Sequence, residues 1–301
     1  MINNIYSNIK IAYYSGTGGT ELAAKGVQSH LKTAGCTCTI ERITDGTSKN
    51  QNNCELLLLL FPVHAFNAPD AVYKWIDALD MVNQTSTAVI SVSGAGEVCP
   101  NTACRVGSIK RLRKKGYHVL YERMIVMPSN WVAPAPSPLP YLLMQALPIV
   151  IDQITSDLLS GVCRKAKPLW IDRVFSAIGK LETAGGHYWG KRIQVMESCT
   201  GCGWCANHCP AGNITMTNGK PTFDNECHFC LKCIYSCPSK ALQPGTCKFV
   251  VIPEGYYLQD IAQQPPQNPQ VPVKDLKVGF FWLGVKKYLM SLSDNQRDLS
   301  L

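Results

Sequence analysis

The sequence predicts an α/β protein in which a five-stranded, doubly wound parallel sheet is followed by a small α+β unit. Three observations carry this. Strand and helix patterns alternate through the first ~130 residues, the mark of a parallel sheet wrapped by helices. Leu56–Phe61 is an unbroken apolar run, as a central strand covered on both faces requires. Eight of the 15 cysteines fall within Cys199–Cys237, where the texture changes to short pieces and closely spaced thiols.

In chain order, Asn8–Tyr13 reads as a strand, Glu21–Thr33 as a helix and Thr37–Arg42 as a second strand. After the central run come a helix at Ala71–Leu79, a strand at Thr87–Val92, a basic helix at Thr102–Lys115 and a fifth strand at Val119–Met127. Ala133–Pro140 holds four prolines and reads as an extended connector. Helices are expected at Tyr141–Leu159, closing the sheet, and at Leu169–Leu181, leading onward. Asn218-Gly219, flanked by Ile214–Met216 and Pro221–Phe223, signals a small hairpin. Gln263–Pro272 reads as a linker and Leu276–Leu292 as an aromatic, apolar helix.

The 301 residues amount to about two domains at ~100–200 residues each, and 46% hydrophobic against 17% charged residues excludes wholesale disorder. Unbroken apolar runs such as Leu56–Pro62 fall short of a membrane span. Leu139–Ile151 is interrupted by Gln145 and two prolines and closed by Asp152, so it reads as a buried helix. Met1–Lys10 lacks the pattern of a secretory signal, and the expected location is cytoplasmic. The net charge of +8 is spread, with 13 basic against 9 acidic residues in 1–130 as the largest excess, and nothing resembles a nucleic-acid-binding arm. The one dense run, Lys110, Arg111, Arg113, Lys114 and Lys115, is either the solvated face of a helix or a docking patch for an acidic partner.

An odd number of cysteines in a reducing compartment argues for metal over disulfides. The runs Cys199-x-x-Cys202-x-x-Cys205-x-x-x-Cys209-Pro210 and Cys227-x-x-Cys230-x-x-Cys233-x-x-x-Cys237-Pro238 repeat at an offset of 28 residues. Three thiolates at this spacing wrap one cubane, and the fourth, turned away by proline, reaches the cluster of the other half. Cys199, Cys202, Cys205 and Cys237 are therefore expected to hold one 4Fe–4S cluster, and Cys227, Cys230, Cys233 and Cys209 the second. Zinc is the rival, but structural zinc sites are closed sets of four, usually two pairs with a longer gap between. His208 and His228 read as surface or packing residues beside complete ligand sets. Over about 50 residues the region resembles the bacterial two-cluster ferredoxins, which implies low-potential, one-electron chemistry.

The first strand runs into Ser15-Gly16-Thr17-Gly18-Gly19-Thr20 and then a helix. Such a loop presents backbone N–H groups and hydroxyls at a helix N-terminus, suited to an anion. It has neither the Gly-Lys-Ser/Thr of a P-loop nor a dinucleotide fingerprint, and its neutral donors suit a phosphate monoester. Loop and context resemble the flavodoxins over residues 5–160. The resemblance implies strand order 2-1-3-4-5 with FMN beyond the carboxyl ends of the first and third strands. Two further loops should frame its ring: Pro62-Val63-His64-Ala65-Phe66-Asn67-Ala68-Pro69 and Ser93-Gly94-Ala95-Gly96-Glu97-Val98-Cys99. His64 or Phe66 is the candidate cover for one face. The second loop lacks the usual stacking tyrosine, so either Trp131 supplies the ring or a face stays open. Cys99 reads as a small buried residue.

Together the parts resemble the flavodoxin–ferredoxin fusion family of anaerobes, including its Met127-Pro128-Ser129-Asn130 segment. The resemblance covers residues 5 to ~245, and the expected division is a flavin-binding unit at 1–162, a helical connector at 163–190, a two-cluster unit at 191–247 and, from composition, a linker with an apolar helix at 248–301. The resemblance implies an electron-transfer protein whose partners are redox proteins: a ferredoxin, a reductase or an oxidoreductase complex. The alternative is an FMN-dependent reductase acting on a small acceptor, although no paired acid and base supports it. For the apolar C-terminal helix, packing over a domain is the first expectation, with peripheral membrane contact or partner docking behind it.

Overall fold

The computed structural model describes residues 4–44, 54–131, 135–265 and 271–293. Part of the expected connector (Ala133 and Pro134) and residues 266–270 of the linker lie outside these. Strands β1 (Asn8–Tyr13), β2 (Thr37–Arg42), β3 (Leu56–Pro62), β4 (Thr85–Ser93) and β5 (Tyr117–Val126) form one parallel sheet in the order 2-1-3-4-5. The apolar run lands on β3, with Ile9 of β1 on one side and Ser86 of β4 on the other opposite Leu56.

Period-two alternation splits β3 between two cores. Leu56, Leu58 and Leu60 face helix α1 (Gly19–Thr33) through Ala23, Ala24, Val27 and Leu31. Leu57, Leu59 and Phe61 face α2 (Asp70–Ala78) and α3 (Val106–Lys114) through Val72, Ile76, Ile109 and Leu112. The basic helix begins four residues later than its pattern predicts. Asp172 Oδ2 accepts from the Thr102 backbone N–H at 3.0 Å and from its hydroxyl at 2.5 Å, which holds residues 101–105 in turns.

Helix α4 (Leu139–Leu159) is long and apolar enough to cross a membrane by length and composition, the one such helix among the described residues. Its Leu142, Leu143, Ala146, Val150, Ile151 and Ile154 are nonetheless buried in the core shared with α1. Helix α5 (Trp170–Gly190) continues past the expected end at Leu181, straight through Gly185 and Gly186.

The cysteine repeat folds as two matched halves. A two-stranded antiparallel pair joins β6 (Gln194–Val195) to β9 (Leu242–Gln243), and the hairpin of β7 (Ile214–Thr217) and β8 (Lys220–Phe223) turns on Asn218 and Gly219, both at positive φ. Short helices α6 (Trp204–His208) and α7 (Lys232–Tyr235) occupy equivalent places. The 28-residue offset also governs the backbone: Gly201 and Phe229, Gly203 and Leu231, and Gly212 and Lys240 are all left-handed. Three glycines of the first half thus correspond to side-chain-bearing residues in the second, where each left-handed position costs about 1–2 kcal/mol.

After α8 (Leu258–Gln263), the C-terminal helix α9 (Leu283–Ser293) returns to the sheet. Val285, Leu289 and Leu292 are buried beside α4, as the packing expectation holds, whereas Phe280 and Phe281 just before the helix are 83% and 82% exposed.

Candidate functional site

The eight cysteines line two cavities, four to each. Cys209, Cys227, Cys230 and Cys233 line one, with Asn213, Ile214 and Leu231 among the walls. Cys199, Cys202, Cys205 and Cys237 line the other, with Trp204, Met216 and Pro221. In each, the fourth cysteine comes from the opposite half. The backbone supports this crossing in the same way twice: the Asn213 N–H donates to Cys209 Sγ at 3.4 Å, and the Ala241 N–H donates to Cys237 Sγ at 3.3 Å.

The two sets differ in depth. Burial pushes the Cys227 thiol up to about 12 and Cys230 up to about 11, and raises Cys233 well above the ordinary thiol range. Burial acts on Cys237 too, but hydrogen bonds from the Ser239 hydroxyl and nearby backbone N–H groups outweigh it and hold that thiol below its usual value. Cys202 is exposed. Cys205 lies within electrostatic reach of Cys233, so the sets are neighbours.

The deeper set presses on the N-terminal sheet. A Cβ on Gly16 would stand 2.7 Å from Cys230 Cβ and 3.4 Å from its Sγ. Tyr14, fully buried, shares a 2.7 Å hydrogen bond with His228 Nδ1, and Lys74 pairs with Glu226 at 2.9 Å. The Tyr235 and Tyr256 hydroxyls donate to the carbonyls of Asn130 and Pro128, both at 2.8 Å. Helix α5 is the strut alongside: a Cβ on Gly179 would overlap the Ala65 carbonyl, and one on Gly190 would overlap Cys227 Cβ and stand 2.7 Å from its Sγ. Gly179 and Gly190, lacking side chains, admit the 62–69 loop and the cysteine loop to the helix surface.

Each loop expected around a flavin is accounted for. In the first, Ser15 and Thr20 are buried, the Glu21 N–H donates to Ser15 Oγ at 3.3 Å, and Asn130 Nδ2 donates to Thr17 Oγ1 at 2.9 Å. Gly18, at φ 107, opens α1 with no side-chain cap, which leaves the helix N-terminus facing the loop. Gly19 lies against Met127.

In the second loop, Pro62, Val63 and His64 are half-buried. Phe66 meets Phe175 of α5 edge-on at 6.0 Å, and Asn67 exchanges hydrogen bonds with Ser176 at 2.8 and 2.6 Å. Phe66 and Asn67 are thus held to α5, and His64 stands edge-on to the Tyr14 ring at 6.3 Å. Enclosure lowers the His64 imidazole from 6.5 to about 4. The stability that neutral His64 contributes is complete above pH 6.5 and is lost as pH falls toward 4, because the unfolded chain takes the proton first. Urea midpoints should fall across that window, and His64→Gln should flatten the fall.

In the third loop, Gly94 packs on Ser129, Ser93 Oγ accepts from the Ala95 N–H at 3.2 Å, and a Cβ on Gly96 would stand 2.8 Å from the Gly284 carbonyl at the start of α9. Glu97 pairs with Arg105, which is 1% exposed and also donates to Ser91 Oγ at 2.8 Å and to Glu122 at 3.5 Å. Burial raises the Glu122 carboxyl even with Arg105 beside it. Arg105→Met is expected to cost about 3–5 kcal/mol by leaving carboxylates uncompensated, with a smaller loss at pH 5 than at pH 7. Urea denaturation at both values measures it. Trp131 is 38% exposed, its backbone N–H bonded to Ser129 Oγ at 3.3 Å. Cys99 corrects an expectation: it is exposed beside Asp172, because the loop turns outward there.

The comparisons with known proteins agree with these elements. Residues 198–242 match the 4Fe–4S dicluster domain family. Part of the chain is similar to the two-electron reduced flavodoxin of Megasphaera elsdenii, at 21% identity over 39% of this chain and 85% of that one, with a TM-score of 0.33. It is likewise similar to the Streptococcus pneumonia TIGR4 flavodoxin (15% identity, 50% and 96% coverage, TM-score 0.38) and to flavodoxin 2 of Bacillus cereus (16%, 51% and 97%, TM-score 0.38). No curated protein sequence matches the chain. At such scores the strand order, 2-1-3-4-5, identifies the sheet as flavodoxin-like, independently of the overlays. The chain is a fusion of a flavodoxin-like domain with a ferredoxin-like 4Fe–4S domain.

Proposed function

We propose that the protein is an iron–sulfur flavoprotein that carries electrons between FMN, two 4Fe–4S clusters and external redox proteins. The carrying observation is the pair of four-thiol cavities, the deeper of which abuts the loop that would hold a flavin phosphate. Four thiols around each cavity are the donor set of a cubane. Two runs of four cysteines, each closed by proline, favour clusters over the paired, widely gapped ligands of structural zinc. Burial raises the Cys227, Cys230 and Cys233 thiols, so binding a cluster through them releases protons.

The phosphate end of FMN fits residues 15–20: the N-terminus of α1 supplies the N–H donors that Ser15 Oγ does not take, and the buried Ser15 and Thr20 supply hydroxyls. The ring would lie between the 62–69 and 93–99 loops, within reach of Trp131. When bound, a flavin exchanges one or two electrons and each cluster one, so the protein couples the two kinds of chemistry. Residues 1–162 would bind FMN, 191–247 hold the clusters, 163–190 join them and 248–301 supply a linker and the apolar helix.

Each of the three loops is packed against α5, α9 or the cysteine repeat, while Cys202 of the outer set meets solvent. That arrangement favours a carrier over a reductase with a small acceptor above the flavin. The test is anaerobic reconstitution of the full chain with iron, sulfide and FMN. About eight irons and one flavin per chain, with two cubane EPR signals on reduction, are expected. Four irons or fewer, or no bound flavin, overturns the reading.

A further inference from the structure

The two cysteine sets stand in different surroundings, and the difference gives the electron path a direction in space. The deeper set is approached from outside the repeat on two sides: by Gly16 of the sheet domain against Cys230, with Tyr14 bonded to His228, and by Gly190 of α5 against Cys227. Both cavities are lined by residues of the repeat and its entry, but among the eight thiols Cys202 of the outer set is the exposed one, with the exposed Met216 beside it. Around it stand Lys220, whose Nζ donates to the Cys199 carbonyl at 2.9 Å, and Lys240, three residues after Cys237, both exposed. Glu197 is the acidic residue nearest in sequence.

Resting on the carrier reading, we infer that the Cys199/Cys202/Cys205/Cys237 centre is the port of the protein, and that Lys220 and Lys240 dock a one-electron redox protein with an acidic face. The Cys209/Cys227/Cys230/Cys233 centre is then the internal relay toward the sheet domain. One electron leaves the partner's centre and enters the port; no bond forms or breaks and no proton moves. The rival surface is the basic helix α3. There Arg111 lies over the Tyr73 ring at 4.3 Å and pairs with Asp77 at 3.3 Å, and Lys115 donates to the Leu79 carbonyl at 2.6 Å. Arg111 and Lys115 serve α2–α3 packing, and the other three, Lys110, Arg113 and Lys114, stand on the exposed face.

The experiment uses the reconstituted full chain and, as probe, an acidic two-cluster bacterial ferredoxin reduced with dithionite. A zero-length carbodiimide joins lysine amines to carboxylates in contact, and mass spectrometry locates the links. Links at Lys220 or Lys240 are expected; links confined to Lys110 and Lys114 overturn the port. In stopped flow, K220Q/K240E should lower the second-order rate of ferredoxin oxidation about tenfold at low salt, with the difference vanishing at high salt. K110E/K114E should leave the rate unchanged. An unchanged rate in K220Q/K240E, or a loss that persists at high salt, overturns the inference. EPR of both centres checks integrity, and K240E alone replaces the double variant if Lys220 proves necessary for cluster retention. Absent iron would instead defeat the carrier reading, so the two failures are distinguishable.

Discussion

Gly190→Ala is expected to empty the deeper cysteine set while leaving the outer one filled. The added Cβ would overlap Cys227 Cβ and stand 2.7 Å from its sulfur. Cys227 has little room to yield, since the Phe229 N–H donates to its Sγ at 3.3 Å and His228 is tied to Tyr14. The methyl group therefore displaces a ligand or separates α5 from the cysteine loop. Iron per chain should fall by about half, with one cubane EPR signal lost. The control is Gly185→Ala on the same helix, whose Cβ meets only Trp189, at 3.6 Å. Replacing a helical glycine by alanine where space exists should raise stability by about 1 kcal/mol and leave iron unchanged. Full iron content in Gly190→Ala would show that the helix does not bear on the cluster ligand.

Gly16→Ala and Gly18→Ala should separate the two duties of the glycine loop. At Gly16 the backbone accepts a side chain but the space does not, because Cys230 Cβ would be 2.7 Å away. Its expected effect is on the deeper centre, as a changed EPR line shape and a shifted potential. At Gly18 the nearest atom, of Leu258, is 3.9 Å away, but φ is +107, so alanine there strains the start of α1 by about 1–2 kcal/mol. Gly18→Ala should weaken FMN binding about tenfold, as seen by flavin fluorescence, with both cluster signals intact. Equal effects of both variants on cluster and flavin would mean that the loop does not divide its work in this way.

The sheet was legible because its signals are local. Leu56–Phe61 could be covered on both faces only in the middle of a parallel sheet, and β3 sits there. The eight thiols were legible because ligand spacing within a short loop is itself local geometry, and each cavity holds the four expected cysteines. The reading was incomplete where one glycine served two purposes. Gly16 fitted an anion-binding loop, yet its backbone also makes room for Cys230, a residue 214 positions away. The helix pattern stopped at Leu181, yet α5 runs on to Gly190, and its Gly179, Gly186 and Gly190 are where other loops approach. Phe66 and Asn67 were candidates for the flavin ring, and their partners on α5 had no signature in the sequence.

The sequence by itself determined the order of strands and helices, the two groups of four cysteines and the residue types available to a phosphate, because each follows from periodicity or short-range spacing. Only the tertiary structure decided which cysteine set faces the sheet domain and which faces solvent. It also decided that α5 braces the 62–69 loop and Cys227 together, and that Glu97 answers Arg105. These depend on approaches between residues far apart in the chain. Such contacts are set by how whole faces pack, and no local pattern records which side of a repeat will be buried.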